Sequence, residues 1–223
     1  MTEVISCCEL VYTHGGRSGA IQGVSARFFR GTVNYIVGPS GAGKTTLALL
    51  FAGVFTPESG NVRRPQFELP GLVLQFPEEL FLTDSVEEEL ALIPDSEAEG
   101  VVLEALNELG LPFSDIFNQR LKSLSFGQKR LFAAALQTAL SASVMIFDEP
   151  TLGLDERNLS VISNWIKSRC DNDMCAIVVT HDLDLMKQLP GTVIALDRGK
   201  IVWSGETREL LRSKDILNLT NLN

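Results

Sequence analysis

Residues 38–45 read Gly-Pro-Ser-Gly-Ala-Gly-Lys-Thr, an order of residue types suited to holding a polyphosphate. Gly38, Gly41 and Gly43 let the backbone curl until consecutive N–H groups face one anion. The apolar run Thr-Val-Asn-Tyr-Ile-Val precedes the turn and a helical pattern follows it, so the loop opens a helix whose N-terminal partial charge favours phosphate. Lys44 is expected to reach the β- and γ-phosphates, and the Thr45 hydroxyl to bind Mg²⁺. The contact set expected from this loop is Gly38, Pro39, Ser40, Gly41, Ala42, Gly43, Lys44, Thr45 and Thr46, with a nucleoside triphosphate as ligand.

The matching acid lies at residues 144–150, Val-Met-Ile-Phe-Asp-Glu-Pro. Asp148, at the end of a buried-strand pattern, suits a Mg²⁺ partner, and Glu149 is placed to polarise a water for attack on the γ-phosphate. A second turn, Ser-Leu-Ser-Phe-Gly-Gln-Lys-Arg-Leu at 123–131, also opens a helix. Ser125 with Gln128 three residues on is a capping box, and Leu131, Phe132, Ala135, Leu136, Ala139 and Leu140 share one face of the helix that follows. Capping leaves Gly127 unexplained, since a helical glycine costs up to about 1 kcal/mol relative to alanine. A missing Cβ there lets something approach the backbone, and a hydroxyl with open N–H groups makes a second anion site.

These loops need a frame. Apolar runs predict strands near 3–11, 23–29, 32–37, 71–75, 143–147, 174–180, 192–197 and 200–204. Helical patterns fit 44–53, 84–92, 97–110, 126–141, 155–169 and 206–212. Unbroken apolar strands alternating with helices predict an α/β fold around a sheet covered on both faces. No strand pattern appears between about 82 and 141, so a helical subdomain is expected there, with the core at about 1–81 and 142–213 and a frayed tail at 214–223.

Composition limits the partners. The 223 residues are 45% hydrophobic and 21% charged, a globular balance, and the net charge of −9 disfavours nucleic-acid binding, which depends on Lys and Arg neutralising phosphates. No apolar run approaches the roughly 20 residues of a membrane span, and the N-terminus lacks a signal-peptide pattern, so no direct membrane insertion is expected. Cysteines 7, 8, 170 and 175 have no metal-ligand spacing, and reduced, buried or half-buried thiols in a reducing cytosol are expected.

Leu-Ser-Phe-Gly-Gln at 124–128 resembles the signature motif of ATP-binding-cassette (ABC) ATPases, usually Leu-Ser-Gly-Gly-Gln. The resemblance runs through nearly the whole chain in the family's order. It identifies 38–46 as the Walker A loop, Asp148 and Glu149 as Walker B, Gln75 as the Q-loop glutamine, Asp155 as the D-loop aspartate, His181 as the switch histidine and Tyr12 as the adenine-stacking aromatic. It implies a P-loop NTPase core with an antiparallel β subdomain and an inserted α-helical subdomain. It also implies a single cassette binding ATP and Mg²⁺, the metal held by Thr45, Gln75 and Asp148, with Glu149, His181, Gln75 and Lys44 catalytic. Two cassettes, a homodimer or a heterodimer, would sandwich ATP so that Ser125, Gly127, Gln128 and Asp155 of one complete the site of the other. Local alternatives stay open: a strand-end glutamine at 75, a core histidine at 181, a packing tyrosine at 12. Phe126 departs from the motif's glycine, and its side chain disfavours a positive φ.

The stretch Leu-Gln-Phe-Pro-Glu-Glu-Leu-Phe-Leu-Thr-Asp-Ser-Val-Glu-Glu-Glu-Leu at 74–90 resembles energy-coupling-factor ATPases, which power vitamin and cobalt or nickel uptake. The resemblance implies transmembrane coupling or permease subunits as partners, with Phe76, Phe81 and Leu82 as an apolar seat for them. It places the chain on the cytoplasmic face of the cell membrane, held there through those partners. The alternatives are a conventional ABC transporter ATPase for another solute, a soluble cassette ATPase, and a non-hydrolysing ATP-binding regulator.

Overall fold

The computed structural model describes residues 2–15, 20–66, 69–93, 95–140, 143–220 and 222. Residues 141, 142, 221 and 223, on which parts of the expected helical segment, core boundary and tail fall, lie outside the described residues.

The frame is a six-stranded sheet with the order β5(Gly71–Val73), β6(Val144–Asp148), β7(Cys175–Val179), β3(Val33–Val37), β8(Thr192–Asp197) and β9(Lys200–Glu206). Neighbours are parallel from β5 through β8, and β9 closes the edge antiparallel to β8. Its central strands are buried on both faces, which is why they read as unbroken apolar runs. Alternate side chains sort into two cores. Tyr35, Phe147 and Val178 face a cluster shared with the helices, while Ile36, Ile146 and Ile177 face one shared with α1(Lys44–Ala52). Over that second face lies a three-stranded antiparallel sheet, β2(Ile21–Phe29), β1(Glu3–Tyr12) and β4(Ser59–Arg63).

β4 is absent from the sequence-based expectation because it is an edge strand with mostly exposed polar residues, so burial leaves no apolar pattern on it. Between β5 and β6 the described residues hold α2(Val86–Leu90), α3(Ser96–Glu108), α4(Phe113–Ile116) and α5(Phe126–Gln137), with only an isolated Ser85–Arg120 bridge as β structure. α5 stops earlier than its apolar pattern implies, at a Thr138 cap, and Leu140 is exposed. After β6 come α6(Glu156–Asp171), α7(Leu183–Gln188) and α8(Thr207–Arg212). Among the described residues no helix is long and apolar enough to cross a membrane.

The expectation of a frayed tail is corrected. Residues Lys214–Thr220 form α9, and the Ser213 hydroxyl accepts from the Ile216 N–H at 3.3 Å, a cap whose serine carries no distinctive pattern around it. Ile216 and Leu217 pack on the helical-side core, and Leu222 is buried in it. Leu222→Ala is expected to cost about 2 kcal/mol, lowering Tm by about 4–8 °C for a chain of this size. An unchanged melting curve would mean the segment is frayed after all.

Candidate functional site

The parallel strands end on one edge, and the loops leaving β3, β6 and β7 meet there around a cavity of about 650 Å³. The loop from β3 to α1 turns through Gly38, Gly41 and Gly43, all at positive φ. At two of these positions a side chain has no room. A Cβ on Gly38 would stand 2.1 Å from the Leu196 carbonyl oxygen, and one on Gly43 would stand 2.3 Å from that of Ala20. Glycine is therefore required both for the left-handed backbone and for close packing against neighbouring main chain.

Gly38, Pro39, Ser40, Gly41, Gly43, Lys44, Thr45 and Thr46 line the cavity. Ala42 does not: its methyl is buried among the apolar side chains between the sheets, and its N–H is spent on the Pro39 carbonyl at 3.1 Å. Lys44 Nζ donates to the carbonyl oxygens of Gly38 and Pro39 at 2.9 and 3.0 Å. Burial pushes its pKa down, opposed by the charges of Glu149 and Asp148.

Across the cavity, Asp148 ends β6 and is 3% exposed, with its Oδ2 accepting from the Thr45 hydroxyl at 2.8 Å. Burial raises its pKa, and the Thr45 hydrogen bond opposes that rise. Glu149 follows with φ +49, a region uncommon for any residue but glycine. Its carboxylate accepts from the Thr180 hydroxyl at 3.2 Å and lies 2.8 Å from His181 Nδ1, while its N–H donates to the Val179 carbonyl at 2.8 Å. Gln75, beyond the end of β5, completes the wall. The structure thus brings Lys44, Thr45, Gln75, Asp148, Glu149 and His181 onto one cavity.

Other expected positions lie elsewhere. Tyr12 does not line the cavity; its ring is stacked on Phe55 with centroids 5.0 Å apart, so one face is already covered. His14 takes the wall position, held edge-on by Tyr12 at 5.1 Å and by a contact of 3.2 Å from Nε2 to the Thr46 hydroxyl oxygen. His14, and not Tyr12, therefore stands on the wall of this cavity. The signal for His14 was its place two residues beyond Tyr12, past the end of β1.

Ser125, Gly127, Gln128 and Asp155 lie off this cavity too. Ser125 and Gln128 form the expected capping box, with bonds of 3.2 and 2.9 Å. The serine oxygen accepts in that box, which leaves its O–H free to donate elsewhere. Gly127 has a neighbour within its own chain, because a Cβ there would stand 3.2 Å from Asn158 Nδ2. Asp155 caps α6, its Oδ1 accepting from the Asn158 N–H at 2.8 Å. Sequence reasoning missed Thr180, whose hydroxyl steadies Glu149, and Arg130, a lone charge on the buried stripe of α5.

A larger cavity of about 1210 Å³ opens among β2, β9 and the starts of β3 and β8, but it contains none of these phosphate-loop or acidic residues. The four cysteines are free, with Cys7, Cys170 and Cys175 buried and Cys8 exposed, which corrects the expectation for Cys8.

A model of the ABC transporter family matches residues 21–152. The energy-coupling factor transporter ATP-binding protein EcfA of Methanosphaera stadtmanae is 29% identical over 241 aligned positions, covering 100% of this chain and 86% of the relative. The energy-coupling factor transporter ATP-binding protein EcfA2 of Clostridium perfringens is 28% identical, covering 96% and 81%. Among solved structures, cbiO1 of Clostridium perfringens, part of the ABC transporter complex cbiONQ, superposes with a TM-score of 0.79 at 26% identity over 100% of this chain and 96% of that one.

Burial of Asp148 generates a pH-dependent prediction. Its pKa is raised on folding, so the stability it contributes is complete in acid and is lost as pH rises through that raised value. At neutral pH the ionised carboxylate therefore destabilises the nucleotide-free fold. Asp148→Asn is expected to raise Tm at neutral pH, with the gain vanishing as the buffer is made acidic. A gain independent of pH, or a loss at neutral pH, would contradict this reading.

Proposed function

We propose a role for this chain from one premise: it belongs to the ABC transporter family, whose model covers more than half of it. The chain is the ATP-hydrolysing subunit of a membrane importer of the energy-coupling-factor type, serving a vitamin or a transition-metal ion. Its similarity to energy-coupling factor ATP-binding proteins along its full length supports that type.

The observation that carries the mechanism is the grouping of Lys44, Thr45, Asp148, Glu149, Gln75 and His181 on one cavity, with Ser125 and Gly127 off it. Backbone N–H groups of the glycine loop and Lys44 bind the β- and γ-phosphates, with Pro39, Ser40, Thr45 and Thr46 as walls. His14 packs against the base, with Tyr12 and Phe55 behind it.

The donor set suits Mg²⁺. Thr45, Asp148 and Gln75 offer oxygen atoms only, and the buried Asp148 carboxylate has a raised pKa that a cation would offset. Among the described residues no cluster of three or more His, Cys, Asp or Glu side chains is placed to hold a metal. A shared site with nucleotide phosphates fits better than an all-protein cage. When bound, Mg²⁺ supplies neutralisation of the β- and γ-phosphate oxygens.

Glu149, fixed by Thr180 and His181, orients and polarises the attacking water, and Gln75 sits beside it. His181, with its side chain mostly exposed at the cavity rim, contacts the γ-phosphate. Ser125, Gly127, Gln128 and Asp155 serve the site of a second cassette, where the free Ser125 O–H and the opening N–H groups of α5 meet a γ-phosphate. Residues 1–223 act as one cassette, with the helical part at about 82–141 presenting that tip. Phe76 and Leu82, 48% and 82% exposed, form the seat for a transmembrane coupling subunit. Phe81 leaves the expected seat, since its ring packs inward on Phe132 at 5.6 Å. Through that seat the chain is held at the cytoplasmic face of the membrane.

Glu149→Gln is expected to keep ATP binding and to lower kcat by about 10²–10³ fold, the usual range for loss of a group acting on the transition state. Hydrolysis at the unmutated rate would remove Glu149 from the water-activating role.

A further inference from the structure

The buried face of α5 carries one charge, Arg130, whose side chain is fully buried. Among the described residues no carboxylate lies within ion-pair distance of it. Its guanidinium is spent on main chain instead: Nη1 donates to the Glu149 carbonyl and Nη2 to the Gln75 carbonyl at 2.6 Å, while Nε has no partner. A buried cation with no direct ion pair is expensive unless something else stabilises it. The charges of Glu149, Asp148 and Glu78 do so from beyond ion-pair distance, and an aromatic face adds to them. The Phe126 ring lies over the guanidinium with its centroid 4.9 Å from Cζ. That ring in turn rests on Gly153, where a Cβ would stand 3.1 Å from Phe126 Cδ1.

We propose that Phe126 and Arg130 act together as positioning residues for hydrolysis, Arg130 holding the main chain of Gln75 and Glu149 from beneath the Phe126 ring. The inference rests on the roles given above to Gln75 and Glu149. Its geometry is specific. Gln75 and Glu149 follow neighbouring parallel strands, and one planar fork bridges their carbonyl oxygens. Glu149 holds a left-handed backbone, and such a conformation persists only where the surroundings over-determine it. The Val179 carbonyl fixes its N–H and Arg130 its C=O, which together aim the carboxylate at the cavity. Phe126, the residue that departs from the family's glycine, thereby shields the cation that does the holding.

The test compares Phe126→Leu, Phe126→Tyr, Arg130→Lys and Glu149→Gln in the purified full chain, reading kcat, the Kd for ATP and Tm for each. Leucine keeps apolar bulk but removes the π-face, so Phe126→Leu is expected to lower kcat about fivefold or more while the Kd for ATP stays within about twofold. Tyrosine keeps the ring and retains several-fold more activity than leucine. Lysine lacks the planar fork, so Arg130→Lys lowers kcat at least as far as Phe126→Leu. Unmutated kcat in Phe126→Leu, equal losses for leucine and tyrosine, or kcat, Kd and Tm falling in step would each overturn the proposal. Glu149→Gln separates the two levels. If it still hydrolyses ATP, the site reading fails and takes this inference with it. If it is inactive while Phe126→Leu is not impaired, only the positioning role fails.

Discussion

Neutralising the negative charge of a triphosphate is the constraint on which the rest of the molecule depends. The chain meets it at the carboxyl edge of a parallel sheet, where a glycine loop, a helix N-terminus and Lys44 face the same cavity as two acidic residues. Taking these charged groups out of water is costly, and their mutual attraction offsets only part of that cost. Burial lowers the Lys44 pKa and raises that of Asp148, and Glu149 is held at a positive φ. Strain and desolvation of this kind persist when surrounding structure over-determines them. The surroundings here are the double-faced sheet, the Thr180 and His181 contacts, and the Arg130 fork.

A single chain offers only part of the charge neutralisation that the family's sandwich requires. The turn proposed as its second anion site, at the tip of α5, is off the cavity of the first. Two features fit that turn to the proposed role in another cassette. The capping box rigidifies it while leaving the Ser125 O–H undirected within the chain, and the phenylalanine that follows folds inward over Arg130 and Gly153. The aromatic residue that departs from the family motif thus serves the motif's foundation, and Ser125 remains at the surface.

What the sequence made legible were features whose physics is local. The glycine loop must follow a strand and open a helix, and it does. The acids must end a buried strand, and Asp148 does. The doubly covered sheet showed itself as unbroken apolar runs because both faces of each central strand are buried. What stayed hidden depends on contacts between distant segments. Tyr12 reads as an exposed strand-end aromatic, yet one face of its ring is covered by Phe55, far along the chain. Ala42 lies within the loop yet turns into the core. Gly127 signalled a close approach correctly, but the nearest group is Asn158 of the same chain. Arg130 went unread in the sequence, and only the fold reveals it reaching two strand ends. β4 and α9 were missed because an exposed edge strand and a short C-terminal helix leave weak patterns.

The central claim is that ATP is clasped between the glycine loop of one copy of this chain and the Ser125-bearing helix tip of another. Sedimentation of the Glu149→Gln protein with ATP, with and without Ser125→Arg, tests it most directly. The account predicts an ATP-dependent species of twice the monomer mass that reverts to monomer when Ser125→Arg is added, while each monomer still binds ATP. A dimer that survives Ser125→Arg, or an ATP-saturated Glu149→Gln protein that never leaves the monomer mass, would contradict it.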